Sequence, residues 1–179
     1  IWGMAFVSQS KGMEFVKPLT FMASRNFLAT VFLLPFVIYR TMKYKVNIMA
    51  NLRGGAVCGI VLAVADFCQQ YGILNTTVAK AGFITALYII FTPLLGVFIH
   101  KKVSTKVWIC AVIAITGMYF ISITDGLSIG TGDIFVFMCA ILFAIHILVI
   151  DGFGKNTDGV VLSFFQFAVC FAVCFVLAM

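Results

Sequence analysis

The stretch Ala63–Leu74 reads AVADFCQQYGIL, with one acid and two amides, Asp66, Gln69 and Gln70, set inside an apolar run. What these groups do depends on what surrounds them: water, a protein core or a lipid bilayer. The apolar run reaches back to Gly55. That gives it the length of a membrane-crossing helix, which needs about 20 apolar residues. The whole chain has the same character. It is 63% hydrophobic and only 10% charged, with a mean hydropathy of +1.16. Soluble domains carry about 25% charged residues. There are 20 Phe and only 3 Pro, and a water-soluble chain of 179 residues could not hide so much apolar surface in one core. The fold class is therefore an all-α polytopic membrane protein.

The six cysteines, Cys58, Cys68, Cys110, Cys139, Cys170 and Cys174, all fall inside apolar runs, where they act as small hydrophobes rather than as a disulfide framework. Cys170 and Cys174 share a helix face at i, i+4, but no His or third thiol stands near them, so no metal is expected. The chain opens on Ile1, and its first apolar run, IWGMAFV, is too short to span. It stops at Met179 inside another apolar run. The expectation is a piece of a longer protein.

Apolar segments alternate with short charged loops. The reading is the tail of a first helix over Ile1–Ser8, then helices over Leu19–Ile38, Gly55–Leu74, Val78–Ile99, Thr105–Ile123, Gly132–Ile150 and Gly159 to the end, about seven in all. Pro18 sits where a helix start tolerates it. Gly54-Gly55, Gly126, Gly130 and Gly132 read as punctuation between spans. One set of loops holds eight basic residues: Arg40, Lys43, Lys45, Arg53, Lys101, Lys102, Lys106 and Lys155. The other holds three, Lys11, Lys17 and Lys80, with Glu14, Asp125 and Asp133. The positive-inside rule makes the first set cytoplasmic. The net charge of +6 follows from that topology and is not a nucleic-acid footprint.

Sliding the chain against itself by 141 residues lays Trp2–Phe6 on Phe143–Ile147 and Arg25 on Gln166. Helices 1 to 5 then make one repeat, and helix 6 begins another. An odd number of helices per repeat inverts the second copy, a common plan of secondary transporters.

An acid inside a membrane helix costs on the order of 2.5–3.5 kcal/mol on insertion scales, so Asp66 must face protein or a wet cavity. Asp66, Gln69, Gln70 and Ile73 follow i, i+3, i+4, i+7 and share one stripe, which Gly55, Gly59 and Leu62 extend. Arg25 and Asp66 lie at similar depths, roughly 10–12 Å from the outer ends of their helices at about 1.5 Å per residue. Two readings are open: an ion pair that locks two helices, or a cavity wall where Asp66 or Arg25 meets substrate or a proton. Thr85 and Tyr88 lie near the middle of the fourth helix, and Lys80 near its outer end, where it can snorkel. Pro93 is expected to kink that helix. His146 is a candidate for proton coupling with Asp66, or a residue simply hydrogen-bonded to a neighbour. Gln166 reads as interhelical glue. No phosphate loop, HExxH spacing or nucleophile constellation occurs, so no enzyme and no cofactor are expected.

Several short motifs resemble the EamA-type members of the drug/metabolite transporter superfamily. These are Trp2-Gly3 near the end of helix 1, Arg25-Asn26-Phe27 in helix 2, Thr92-Pro93-Leu94 in helix 4, and Gly117-Met118-Tyr119-Phe120 ending helix 5. The family often has an acid after helix 4, where this chain reads His100-Lys101-Lys102. The resemblance implies about ten helices in two inverted five-helix repeats, with residues 1–125 as the first and 126–179 as the start of the second. It also implies export or exchange of small metabolites, often amino acids. The expected activity is secondary transport of a small polar metabolite across the cell membrane (inner or plasma). Asp66, Gln69, Gln70, Arg25 and Tyr88 are the candidate substrate contacts. The competing class is a membrane sensor or assembly protein whose polar stripe is helix glue. The expected partners are the metabolite and membrane lipid, with a homodimer as a candidate assembly and no nucleic acid.

Overall fold

The computed structural model describes residues 2–99, 104–122 and 130–179. Its elements are α1 (Trp2–Gly12), α2 (Pro18–Lys43), α3 (Ile48–Leu74), α4 (Val78–Ala86), α5 (Tyr88–Phe98), α6 (Thr105–Ser122), α7 (Thr131–Phe153) and α8 (Gly159–Ala178). No strand occurs among the described residues. Among the described residues, five stretches are long and apolar enough to cross a membrane: α2, α3, α4 with α5 as one span, α7 and α8. Large apolar side chains such as Leu28 and Phe32 on α2 are exposed, as lipid-facing positions are in a bilayer protein. The chain is an all-α multi-pass membrane protein.

Two segments differ from the sequence reading. Helix α2 runs on to Lys43 and α3 begins at Ile48, so Arg40, Lys43 and Arg53 sit on helices rather than in loops. Basic groups in the last turn of α2 suit the negative end of its dipole, and their long stems carry the charge outward. Gly54 and Gly55 are not punctuation but buried positions inside α3. The turn at His100–Lys102, with Asp125 and Gly126, lies outside the described residues.

The chain divides into two compact units. One comprises Ile1–Phe15 and Ala65–Ile145; the other comprises Val16–Val64 and His146–Met179. Helices α3 and α7 each contribute to both.

In the second unit α2 packs along α8, with the rings of Phe27 and Phe171 5.2 Å apart. The first half of α3 meets α8 through glycine. A Cβ on Gly59 would lie 2.7 Å from the Gln166 carbonyl oxygen, and one on Gly55 would lie 3.1 Å from the Gln166 nitrogen and closer still to Phe165 Cβ. Gly55 and Gly59 form a small-xxx-small face that lets two helix backbones approach in a medium with little hydrophobic drive between helices. Asp158 closes this end. Its Oδ1 accepts from the backbone N–H groups of Val160 (3.0 Å) and Val161 (3.3 Å), capping α8. Its Oδ2 accepts from Arg40 Nη1 at 3.3 Å, and its own N–H donates to Asn51 Oδ1 at 3.0 Å. One acid thus joins the end of α2, the start of α3 and the start of α8.

The first unit repeats the device. Here α3 meets α7 at a second glycine contact, where a Cβ on Gly132 would lie 2.5 Å from the Asn75 carbonyl and one on Gly72 would strike Val136. Asp133 accepts from the Thr76 hydroxyl and, at 2.9 Å, from the Gly130 N–H. It therefore caps α7 and ties it to the turn after α3. Phe6, Ile73, Ala81 and Val136 make an apolar cluster from α1, α3, α4 and α7, with Met13, Val78 and Ile84 packed against it.

Replacing Gly59 with Val is expected to destabilise the protein by about 1–3 kcal/mol, since the clash is with backbone that cannot move aside. Gly82→Ala is the control, because a Cβ there meets nothing within 4 Å. Thermal unfolding in detergent should drop for the first variant and hold or rise for the second. An unchanged midpoint for Gly59→Val would mean that α3 and α8 do not pack this closely.

Candidate functional site

The polar stripe read from the sequence is buried as one face of α3. Gly55, Gly59, Leu62, Asp66, Gln69, Gln70 and Ile73 are all buried, whereas Ile60, Val64, Phe67, Tyr71 and Leu74 are exposed. Its Gly55–Leu62 part belongs to the second unit, and Asp66, Gln69 and Gln70 belong to the first. Tyr88 also lies in the first unit, half-buried, with its ring edge-on to Phe143 at 6.3 Å. Asp66 and Cys68 lie within electrostatic reach of Cys139, a buried thiol on α7. Arg25 and His146 fall in the second unit, on α2 and α7.

Most buried polar groups have partners, as Asp133 does in the first unit, and a few do not. In the second unit, several are bonded to nearby protein groups. His146 Nε2 and Gln166 Oε1 lie 3.2 Å apart, so Gln166 joins α8 to α7 as interhelical glue. Asn26, beside Arg25, donates from Nδ2 to the Met22 carbonyl at 2.9 Å, and Asn51 does the same to Asn47 at 2.8 Å. In the first unit, among the described residues, Gln9 Oε1, both polar atoms of the Gln70 amide and the Thr85 hydroxyl are buried with no hydrogen-bond partner. Gln70 and Thr85 are each 1% exposed. An unsatisfied buried polar group costs about 1–3 kcal/mol, so such groups call for an explanation.

Their positions relate to the apolar cluster. Gln70 is three residues before Ile73 on α3, and Thr85 is four residues after Ala81 on α4. Helices α3 and α4 both lead away from the turn at 75–77. Both polar groups therefore lie one helical turn from the cluster, on its side away from that turn. Gln9 lies three residues after Phe6 on α1, and Met13 follows just past the end of that helix.

Just beyond Thr85 the span breaks. Leu87 (φ −58°, ψ −17°) separates α4 from α5, and its N–H donates to Ile84 O at 3.1 Å while Ile90 N–H donates to Leu87 O at 2.9 Å. These i to i−3 bonds tighten the backbone locally. The sequence places the irregularity at Pro93, but it falls six residues earlier, and α5 continues through Pro93. Thr92, next to the proline, turns its hydroxyl back to the Tyr88 carbonyl at 2.7 Å. Irregular backbone at membrane depth occurs where it is buried in protein or lines a cavity.

Sequence reasoning passed over Gln9, Asn51 and Asp158. Asp158 was findable, since an Asp just before an apolar run is an N-cap signal. Gln9 and Asn51 carry no local signal, because only packing buries them. Among the described residues no cluster of His, Cys, Asp and Glu could hold a metal.

Comparison with known proteins completes the site's context. A model of the EamA-like transporter family matches residues 1–123. An uncharacterized transporter of Archaeoglobus fulgidus is 30% identical over 167 residues, 93% of this chain and 50% of that relative. The chain thus spans about half the length of the curated relative it matches. No solved structure matches it.

Replacing Gln70 with Leu removes an unpaired amide and is expected to stabilise the protein. The melting temperature in detergent should rise by about 2–4 °C per kcal/mol gained. A fall would show that the Gln70 amide is satisfied in the protein and is not a spare binding group.

Proposed function

The chain belongs to the EamA-like transporter family, and from that premise we propose that the whole protein is a secondary transporter of the cell membrane that moves a small polar metabolite. The substrate would be an amino acid or related compound, exported or exchanged by alternating access as two inverted five-helix repeats rock about a site near the midplane. Residues 1–125 would form the first repeat and 126–179 the start of the second. The observation that carries this reading is the pair Gln70 and Thr85, buried in membrane-spanning helices with their polar atoms unpartnered. Protein that needs only helix glue has no use for such groups, whereas a site filled by substrate or water does. Asp66, Gln69 and Tyr88 add polar and aromatic contacts within the same unit. Arg25 is the candidate contact for an anionic group. Asp66 and His146 are the candidate proton carriers; His146 Nε2–H donates to Gln166 Oε1, so a proton would be taken up at Nδ1 with that bond kept.

The sensor or assembly reading finds its best support in the second unit, where His146 with Gln166 and Asp158 with Arg40 and Asn51 act as structural links. Flux decides between the two classes. With the full-length transporter in proteoliposomes and a mixed pool of amino acids and small metabolites, Asp66→Asn is expected to lower wild-type flux at least tenfold. Unchanged flux would make Asp66 a structural residue, and no flux of any compound would favour the non-transporting reading. Proton coupling predicts that an imposed pH gradient drives accumulation; transport indifferent to the gradient removes it.

A further inference from the structure

Resting on the transport reading, the chemistry of the unpartnered groups points to one class of substrate. We infer that Gln70 and Thr85 form a subsite for an uncharged carboxamide, so that the preferred substrate carries a neutral amide rather than a carboxylate or an ammonium at that position.

The argument is one of matching donors and acceptors. The Gln70 amide presents two N–H donors on Nε2 and an acceptor at Oε1, and neither atom has a partner. The Thr85 hydroxyl can donate and accept, and it too is unpartnered. A hydroxyl in a helix commonly donates back to the carbonyl four residues earlier, as Thr30 does to Asn26 and Thr92 to Tyr88 in this protein. Thr85 does not, which leaves its hydrogen available. Both groups lie one turn along their helices from members of the Phe6–Ile73–Ala81–Val136 cluster, on the side away from the turn at 75–77, and one small ligand would bridge them. On α7, one turn from Val136, the fully buried Cys139 and Ala140 are small and offer an apolar wall.

A carboxamide satisfies this set. Its carbonyl accepts from Gln70 Nε2, its NH2 donates to Gln70 Oε1, and Thr85 takes one of the remaining hydrogen-bond positions. A carboxylate only accepts, so it would face Oε1 lone pair to lone pair. An ammonium only donates and would leave Nε2 unpaired. Away from bulk water the misfit costs more, because the unpaired groups have fewer solvent partners to turn to. A hydroxyl ligand fits in part, since it can pair one atom of the Gln70 amide and Thr85 but not both amide atoms at once.

The test uses the full-length transporter in proteoliposomes and pairs of solutes that differ only at this group: glutamine and glutamate, asparagine and aspartate, nicotinamide and nicotinate. At least one amide is expected to exchange about tenfold or more faster than its acid partner. Gln70→Leu and Thr85→Val should each bring that ratio toward one, while Thr85→Ser, which keeps the hydroxyl, should preserve it. A variant that fails to fold leaves the wild-type ratio as the deciding measurement. Flux that is equal for amide and acid, or faster for the acid, overturns the subsite and leaves the transport reading standing. Amide preference that survives in both Gln70→Leu and Thr85→Val overturns the assignment to these residues. No flux for any pair overturns the transport reading for these solutes and the subsite with it.

Discussion

A side chain at Gly59 would put its Cβ 2.7 Å from the carbonyl oxygen of Gln166, and backbone cannot turn aside as a side chain can. The same constraint acts at Gly55 against Phe165 and Gln166, and again where Gly132 meets Asn75. Helices in lipid are not pressed together by water, so their association depends on close backbone packing and on the polar bonds it permits. Helix α3 is held this way twice, by α8 in one unit and by α7 in the other. Each contact is closed by an acid at a helix start, Asp158 for α8 and Asp133 for α7, bonded to a residue at the corresponding end of α3 or just beyond it. Within the first unit, the contact with α7 fixes the face of α3 that carries Asp66, Gln69 and Gln70.

Buried polar groups differ in how far their hydrogen bonds are satisfied. In the second unit the buried polar groups bond to each other or to their own helix, as His146 does to Gln166 and Asn26 to the Met22 carbonyl. Such bonds contribute modestly, about 0.6 kcal/mol on average in membrane proteins, and specify which helices meet. In the first unit the polar atoms of Gln70 and Thr85 are buried without partners, one turn along their helices from Ile73 and Ala81. The break at Leu87, next to Thr85, adds carbonyl and N–H groups held in a tighter i to i−3 pattern. Buried polar groups without protein partners keep their hydrogen-bonding capacity, and the proposed binding role rests on that.

Much of this could be read without coordinates. The hydropathy of the chain places it in the bilayer, and the spacing of Asp66, Gln69, Gln70 and Ile73 marks one buried face, because both signals are local and periodic. Gly55 and Gly59 were legible as the small end of that face, but the run Gly54-Gly55 also looked like a helix boundary. Glycine means a turn in water and a packing surface in lipid, and the sequence carries the residue without its setting. Pro93 marks the expected kink, and the interruption lies at Leu87, six residues earlier on the proline's N-terminal side. Arg40 and Arg53 looked like loop charges because hydropathy falls before the helix ends.

By itself, then, the sequence determined the class of solvent, the number and rough extent of the apolar helices, and the face of α3 that avoids lipid. These depend on composition and on a period of about 3.6 residues. Only the tertiary structure decided which helices the glycines of α3 meet, that His146 is bonded to Gln166, that Asp158 ties three helices together, and that Gln70 and Thr85 lie beside one cluster without partners. Those facts join residues far apart in the chain. They rest on backbone approach and on the satisfaction of polar groups, and neither leaves a period in the sequence.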